Sequence, residues 1–370
     1  ANESNINRIH HILERHIGIM GWNIAAKQSL KEANNSELLE EAIDEEIAAN
    51  YDLLYLLLSI AYDAKSIMHV KENIESGTSE GISYALELLD LFIYEEIKPK
   101  LIPIVEDINA TEKIKQLQNF YPLEILPFNE LLIRIINRDI NFINIWTKAC
   151  ALFSFKDLTL ENGIPDDLIA HLFNPIDLLR QTSAFIIYNE NKDKYLNIKS
   201  RIKEKLRDDL DQTIEKSELT ANSLIIEKTL MLRKIDIFKN VSYKYLYHLA
   251  RYMDDIFPSS GNIVTLSLHE IKDKTLLIFG NQVTFTVDQD LPVILQPGEI
   301  YFMNNYISKK GKAFVIEKNE ESFVFYIEKN VLIYNMFDYH EIEMSFLSWL
   351  NKEIETEVKK DDIENIPDHK

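Results

Sequence analysis

The chain has a single cysteine, Cys150, among its 370 residues. One thiol forbids an intrachain disulfide and suits a reducing compartment. It sits in the apolar segment from Trp146 to Leu152, which predicts a buried and inert side chain. Basic charge is also short. Lys and Arg number 40 against 60 Asp and Glu, a formal charge of −20, and a nucleic-acid role needs the opposite balance. Long apolar runs are missing as well: the longest uncharged one, Leu53 to Tyr62, falls well below the roughly 20 residues of a membrane helix. No basic flank with a cleavage site opens the chain, so no signal peptide is expected. Nor is there a G-x-S-x-G elbow, a Walker loop, an H-E-x-x-H pair or a Rossmann fingerprint. The expectation is a protein that is not an enzyme, with no cofactor.

What is present is an ordinary globular balance, 46% apolar and 27% charged, in a chain long enough for two or three folded domains. Glycine divides them. Five of the nine glycines precede residue 260, while Gly261, Gly280, Gly298 and Gly311 crowd the next fifty or so positions. Helices avoid glycine and tight turns between strands need it, so the chain reads as helical first and β-rich later.

Up to about residue 215 the pattern is one of consecutive helix pairs. Ser36 is a candidate cap for a helix with Glu37, Glu40 and Glu41 in its first turns and Leu39, Ile43, Ile47, Tyr51 and Leu54 along one face. Ile82 to Leu89, Trp146 to Phe153 and Leu179 to Phe185 each set a small residue among large apolar ones, which lets stacked helices approach. A HEAT-like solenoid is expected, with a plain bundle as the alternative. Lys199 to Ser217 is charged throughout and reads as an exposed connecting helix. Alternation then takes over in Ile263 to Leu268, Val283 to Val287 and Ser322 to Ile327, predicting an antiparallel roll or barrel. An amphipathic helix near Ile342 to Ile354 and a polar tail close the chain. The expected domains are 1–215, 216–357 and the tail 358–370.

Several polar clusters have plain readings. His10, His11, Glu14 and His16 lack an obvious third ligand face, so a solvated N-terminal helix is expected rather than a metal site. The run Glu37, Glu40, Glu41, Asp44, Glu45 and Glu46 has no calcium-loop spacing and reads as a solvated face or a docking surface for a basic partner. The basic-biased stretch from Lys192 to Arg207 is diluted by Asp193, Glu204, Asp208 and Asp209, giving a mixed-charge surface helix, with a face for anionic membrane headgroups as the alternative.

Gly298-Glu299, with Met303 five residues after the glycine and Lys312-Ala313 beyond, keeps the frame of a ligand loop. It is similar to the phosphate-binding cassette of cyclic nucleotide-binding domains, G-E-x-F-G-E, eight residues, then R-A. In that family the second Glu accepts the ribose 2′-OH and the Arg neutralises the cyclic phosphate. Here Met303 stands for that Glu, Phe302 for the Gly before it and Lys312 for the Arg. Methionine is a weak acceptor and lysine is a point charge in place of a planar fork, so Gly298, Glu299, Met303, Lys312 and Ala313 are expected to form a vestigial site. Leu232 to Ser242, with Leu246 and Leu249, resembles the entry helices of the same fold, and Asn281 stands near a position where the family often has Gly. Tyr84 to Asp90 and Lys100 to Asp107 look like the helical-repeat region of bacterial proteins that fuse a transporter-like membrane domain, of the major facilitator or ADP/ATP translocase type, to HEAT repeats and a cyclic nucleotide-binding-like domain. The resemblance implies a regulatory, protein-binding module at the inner face of a bacterial membrane. Its partner would be the transporter-like domain or a neighbouring subunit. The alternative is a sensor that binds a cyclic nucleotide or another anion in the roll.

Overall fold

A computed structural model describes residues 3–33, 37–160, 163–219, 222–257, 261–288, 290–306 and 313–351. The chain forms two compact units, Ala1–Thr159 and Leu160–Lys370.

The first unit is helical throughout its described residues: α1 (Glu3–Ala33), α2 (Glu37–Ala61), α3 (Ala64–Glu75), α4 (Ser79–Phe92), α5 (Lys98–Val105), α6 (Ala110–Leu117), α7 (Phe128–Asn137) and α8 (Ile145–Ser154). Side-chain caps start several of them. Asp63, Thr78, Asn109 and Asn144 each accept the backbone N–H three residues on, satisfying a donor that the helix itself leaves open. The structure corrects the reading of α1 as solvated. Leu13, Ile17, Met20 and Ile24 recur at helical spacing and are buried, and α1 packs on α2, α5, α6 and α7. Polar residues between those positions mask the stripe in the sequence. The expected face of α2 is in place: Leu39, Ile43 and Leu54 are fully buried, with Ile47 and Tyr51 half-buried. The candidate cap Ser36 lies outside the described residues.

The second unit begins with α9 (Asp166–Ala170), α10 (Asp177–Glu190), α11 (Lys192–Lys199), α12 (Glu204–Leu219), α13 (Ile225–Leu232) and α14 (Tyr243–Ala250). The charged stretch from Lys199 is not one exposed connector. It breaks between α11 and α12, and α12 buries Leu210, Thr213 and Ile214 while packing on α10. Three buried positions per four turns are enough to anchor a helix whose other faces are charged.

Eight strands follow: β1 (Asp254–Asp255), β2 (Ile263–Leu266), β3 (Lys274–Phe279), β4 (Val283–Val287), β5 (Val293–Leu295), β6 (Ile300–Phe302), β7 (Phe314–Glu317) and β8 (Phe323–Glu328), with a one-turn helix α15 (Leu268–Ile271) after β2. They form two antiparallel four-stranded sheets, β1-β8-β3-β6 and β2-β7-β4-β5. The sheets are open, so the barrel alternative does not hold. Leu276, Ile278, Tyr301 and Val324 from one sheet share a core with Val283, Phe285, Leu295, Phe314 and Ile316 from the other. Strand β3 escaped the period-two pattern because its residues from Thr275 to Phe279 are all buried, leaving no polar alternation to read. Left-handed backbone falls on Gly280 (φ +80°), not on Asn281. A Cβ at Gly280 would stand 1.9 Å from the Glu321 carbonyl oxygen, so no other residue fits this turn. Asn281 beside it donates to the Glu321 carboxylate at 2.8 Å. Helices α16 (Lys329–Asp338) and α17 (340–351) close the described chain. The last residues of the expected closing helix, and the polar tail, lie outside it. No helix among the described residues is long and apolar enough to cross a membrane.

Candidate functional site

The loop singled out by its frame is placed at both ends. Gly298 takes a left-handed conformation (φ +82°) and its N–H donates to the Ile278 carbonyl at 2.8 Å. The Glu299 carboxylate accepts the Tyr301 hydroxyl at 2.6 Å, and that hydroxyl accepts the Gln296 N–H at 2.6 Å. Burial and then the Glu299 bond hold the Tyr301 phenol above its ordinary pKa. Phe302 pairs with Thr275 across the sheet and is half-buried. Met303 is fully buried in the core shared by the two sheets. Ala313 closes the loop through Asp288: its N–H donates to the Asp288 carboxylate and its carbonyl accepts the Asp288 N–H, each at 2.8 Å. Lys312 lies outside the described residues. Glu299, Tyr301 and Ala313 are thus engaged within the fold, and Met303 is an apolar core side chain.

A second feature was not singled out from the sequence. In the first unit a groove of about 430 Å³ lies between α1, α2 and the segment before α8. Its walls are Ile12, Ile19, Leu53, Leu57, Ile140 and Phe142, and His16, Glu46, Asn50 and Asn144 supply polar groups. These polar groups hold one another. His16 Nε2 donates to the Asn50 carbonyl at 2.8 Å, and burial keeps the imidazole below its ordinary pKa and therefore neutral near pH 7. Glu46 accepts the Asn144 N–H at 2.5 Å and the Thr147 hydroxyl at 3.2 Å. The expectation that Glu46 belongs to a solvated acidic face is therefore corrected; it is 8% exposed and anchors the start of α8. Arg15 stands 4.7 Å over the Phe142 ring, and Arg138 3.8 Å over Trp22. Burial lowers the Arg138 pKa to about 10.

Beside this groove α2 carries a second apolar stripe. Leu53, Leu56, Leu57 and Ile60 stand at i, i+3, i+4 and i+7, and Leu56 and Ile60 are 57% and 58% exposed. Ile12 and Ile140 add 50% and 58% exposed side chains at the groove itself. A soluble helix normally spends one apolar face on its own core; α2 spends Leu54 and Leu58 there and leaves the adjoining face open. The run Leu53 to Tyr62 was the available signal, though it read only as too short for a membrane.

Several of the remaining candidates have partners within the fold. His10 stacks on Tyr62 and Tyr94 at 5.8 and 5.2 Å between ring centres, and Glu14 pairs with Lys100. In the basic-biased stretch Lys199 pairs with Asp211, and Lys192 with Glu218 at 3.8 Å. Cys150 is fully buried, and burial pushes its thiol pKa well up, the opposite of what a reactive thiolate needs. No family model matches the sequence, and a search of curated proteins finds no match.

Proposed function

We propose that this chain is a non-catalytic interaction module whose first unit takes an amphipathic helix with basic flanks, laid along the groove between α1 and α2. The observation that carries the reading is the open stripe Leu53, Leu56 and Ile60, continuing past half-buried Leu57 into a groove walled by Ile12 and Ile140. Contiguous exposed apolar surface of this kind marks binding sites, and helix-in-groove recognition uses anchors at the same i, i+3, i+4, i+7 spacing. The basic flank follows from charge: residues 1–159 hold 25 Asp and Glu against 14 Lys and Arg.

For the rest of the chain the reading is a degenerate cyclic nucleotide-binding-like roll preceded by HEAT-like repeats, in the soluble part of a transporter-like protein. The partner is then a helix of the attached membrane domain or of a neighbouring subunit. Support comes from the strand order β1-β8-β3-β6 and β2-β7-β4-β5, which suits an eight-stranded double-sheet roll, and from the loop frame Gly298 to Ala313. The burial of Met303 favours docking over ligand sensing as the role of that roll.

Fluorescence anisotropy with labelled Leu/Lys and Leu/Glu amphipathic peptides tests the groove. The Leu/Lys peptide is expected to bind the wild type, and the double variant Leu56→Asp/Ile60→Asp, checked by circular dichroism, is expected to lose it. Equal binding by the double variant removes the groove from the mechanism. Equal binding of both peptides removes the basic flank.

A further inference from the structure

We propose that the polar cleft between α10, α12 and α13 binds a small carboxylate monoanion on the Lys228 ammonium. The cleft has a volume of about 210 Å³, room for a small molecule and too little for a nucleotide. Three cations that line it already have acids. Arg180 meets Asp209 at 3.2 Å, Arg251 meets Asp177 at 2.7 Å and Lys216 meets Asp254 at 3.6 Å. These pairs tie α10, α12, the end of α14 and β1 around the opening.

Lys228 is different. It is 8% exposed and lines the same cleft, yet its ammonium donates to the Met253 carbonyl at 2.5 Å and to no other described acceptor. Two of its three N–H donors are left over. The Ser223 hydroxyl, which also lines the cleft, and Nε of Arg180, whose side chain is nine-tenths buried, have no hydrogen-bond partner either. Buried donors without acceptors are costly, and a charged one most of all. A carboxylate supplies two acceptor oxygens and one negative charge, which matches the spare donors around the ammonium. A dianion fits worse, because Asp177, Asp209 and Asp254 surround the entrance. Burial lowers the Lys228 pKa to about 8 although Asp254, Asp255 and Glu227 act in the opposite direction, and the ammonium also stands 5.7 Å over the Phe325 ring.

Thermal unfolding with acetate, propionate and lactate, against chloride and inorganic phosphate at equal ionic strength, tests the site. A ligand that binds only the folded state raises Tm. The carboxylates are expected to raise it by a few degrees in the wild type, while chloride and phosphate leave it unchanged. Lys228→Met removes the buried charge, so it is expected to fold with a higher Tm and to lose the carboxylate response. Ser223→Ala is expected to weaken that response several-fold without changing the fold. A wild type that ignores every carboxylate, a Lys228→Met variant that responds equally, or a stronger response to phosphate each overturns the proposal.

Discussion

The Glu46 carboxylate on α2 accepts the backbone N–H of Asn144 at 2.5 Å, across 98 residues of chain. Asn144 in turn caps α8 by accepting the Thr147 N–H at 2.9 Å. One acid thereby fixes the start of α8, floors the groove and places a negative charge at a helix N-terminus, where the backbone dipole favours it.

Glu46→Ala is therefore expected to destabilise the first unit by about 2–3 kcal/mol, since the Asn144 N–H and Thr147 hydroxyl lose a charged acceptor. Glu46→Gln keeps an acceptor and should cost less. Urea unfolding followed by tryptophan fluorescence reports mainly on this unit, which holds Trp22 and Trp146 of the three tryptophans. An unchanged midpoint for Glu46→Ala would show that the contact contributes nothing.

Asn23 on α1 is fully buried, and neither its amide nitrogen nor its oxygen has a partner. Burying such a group costs roughly 1–3 kcal/mol. Asn23→Leu, close in volume, is expected to raise stability by about that amount in the same assay. A loss of stability would mean that the amide is satisfied in solution, as by a bound water.

Lys228 predicts a pH dependence. Its pKa falls from 10.5 to about 8 on folding, chiefly through burial. Between those values the unfolded chain binds more protons, so this residue's contribution to stability rises with pH across that window. Below pH 8 the full penalty applies, on the order of 3 kcal/mol, partly offset by about 1 kcal/mol for the bond to Met253. The gain from Lys228→Met should accordingly be largest near pH 7 and shrink toward pH 10. A gain independent of pH would assign it to packing alone.

Cyclic AMP and cyclic GMP are expected to give no binding heat in titration calorimetry. On the proposed reading Met303 stands where such a domain has its ribose-binding acid, and one charge-assisted bond carries about 1.5–3 kcal/mol, tenfold or more in affinity. Met303→Glu writes that acid back, but into a fully buried position. It should lower the Tm rather than restore affinity. Low-micromolar binding by the native protein would overturn this reading.

Much of the order of elements was legible because it depends on local spacing. The apolar face of α2 from Leu39 to Leu54 follows a helical repeat, and Val283 to Val287 and Phe323 to Glu328 lie in segments of strand-like alternation, so backbone geometry alone assigns them. Glycine scarcity before residue 260 and its clustering afterwards marked the change from helices to strands for the same reason. The turn at Gly298 was also readable, since left-handed backbone is a property of glycine.

Other assignments depended on partners distant in the chain. Nothing local distinguishes Glu46 from Glu41 on α2; the Asn144 and Thr147 donors do. His10 and Glu14 looked like a solvated cluster until Tyr62, Tyr94 and Lys100 were brought against them. Lys228 reads as one more helix lysine until α10, α12 and β1 enclose it. Local spacing determined many of the helices and strands, whereas tertiary packing decided which charges lost their water, and a charge acquires a distinct chemistry only when the fold removes its solvent.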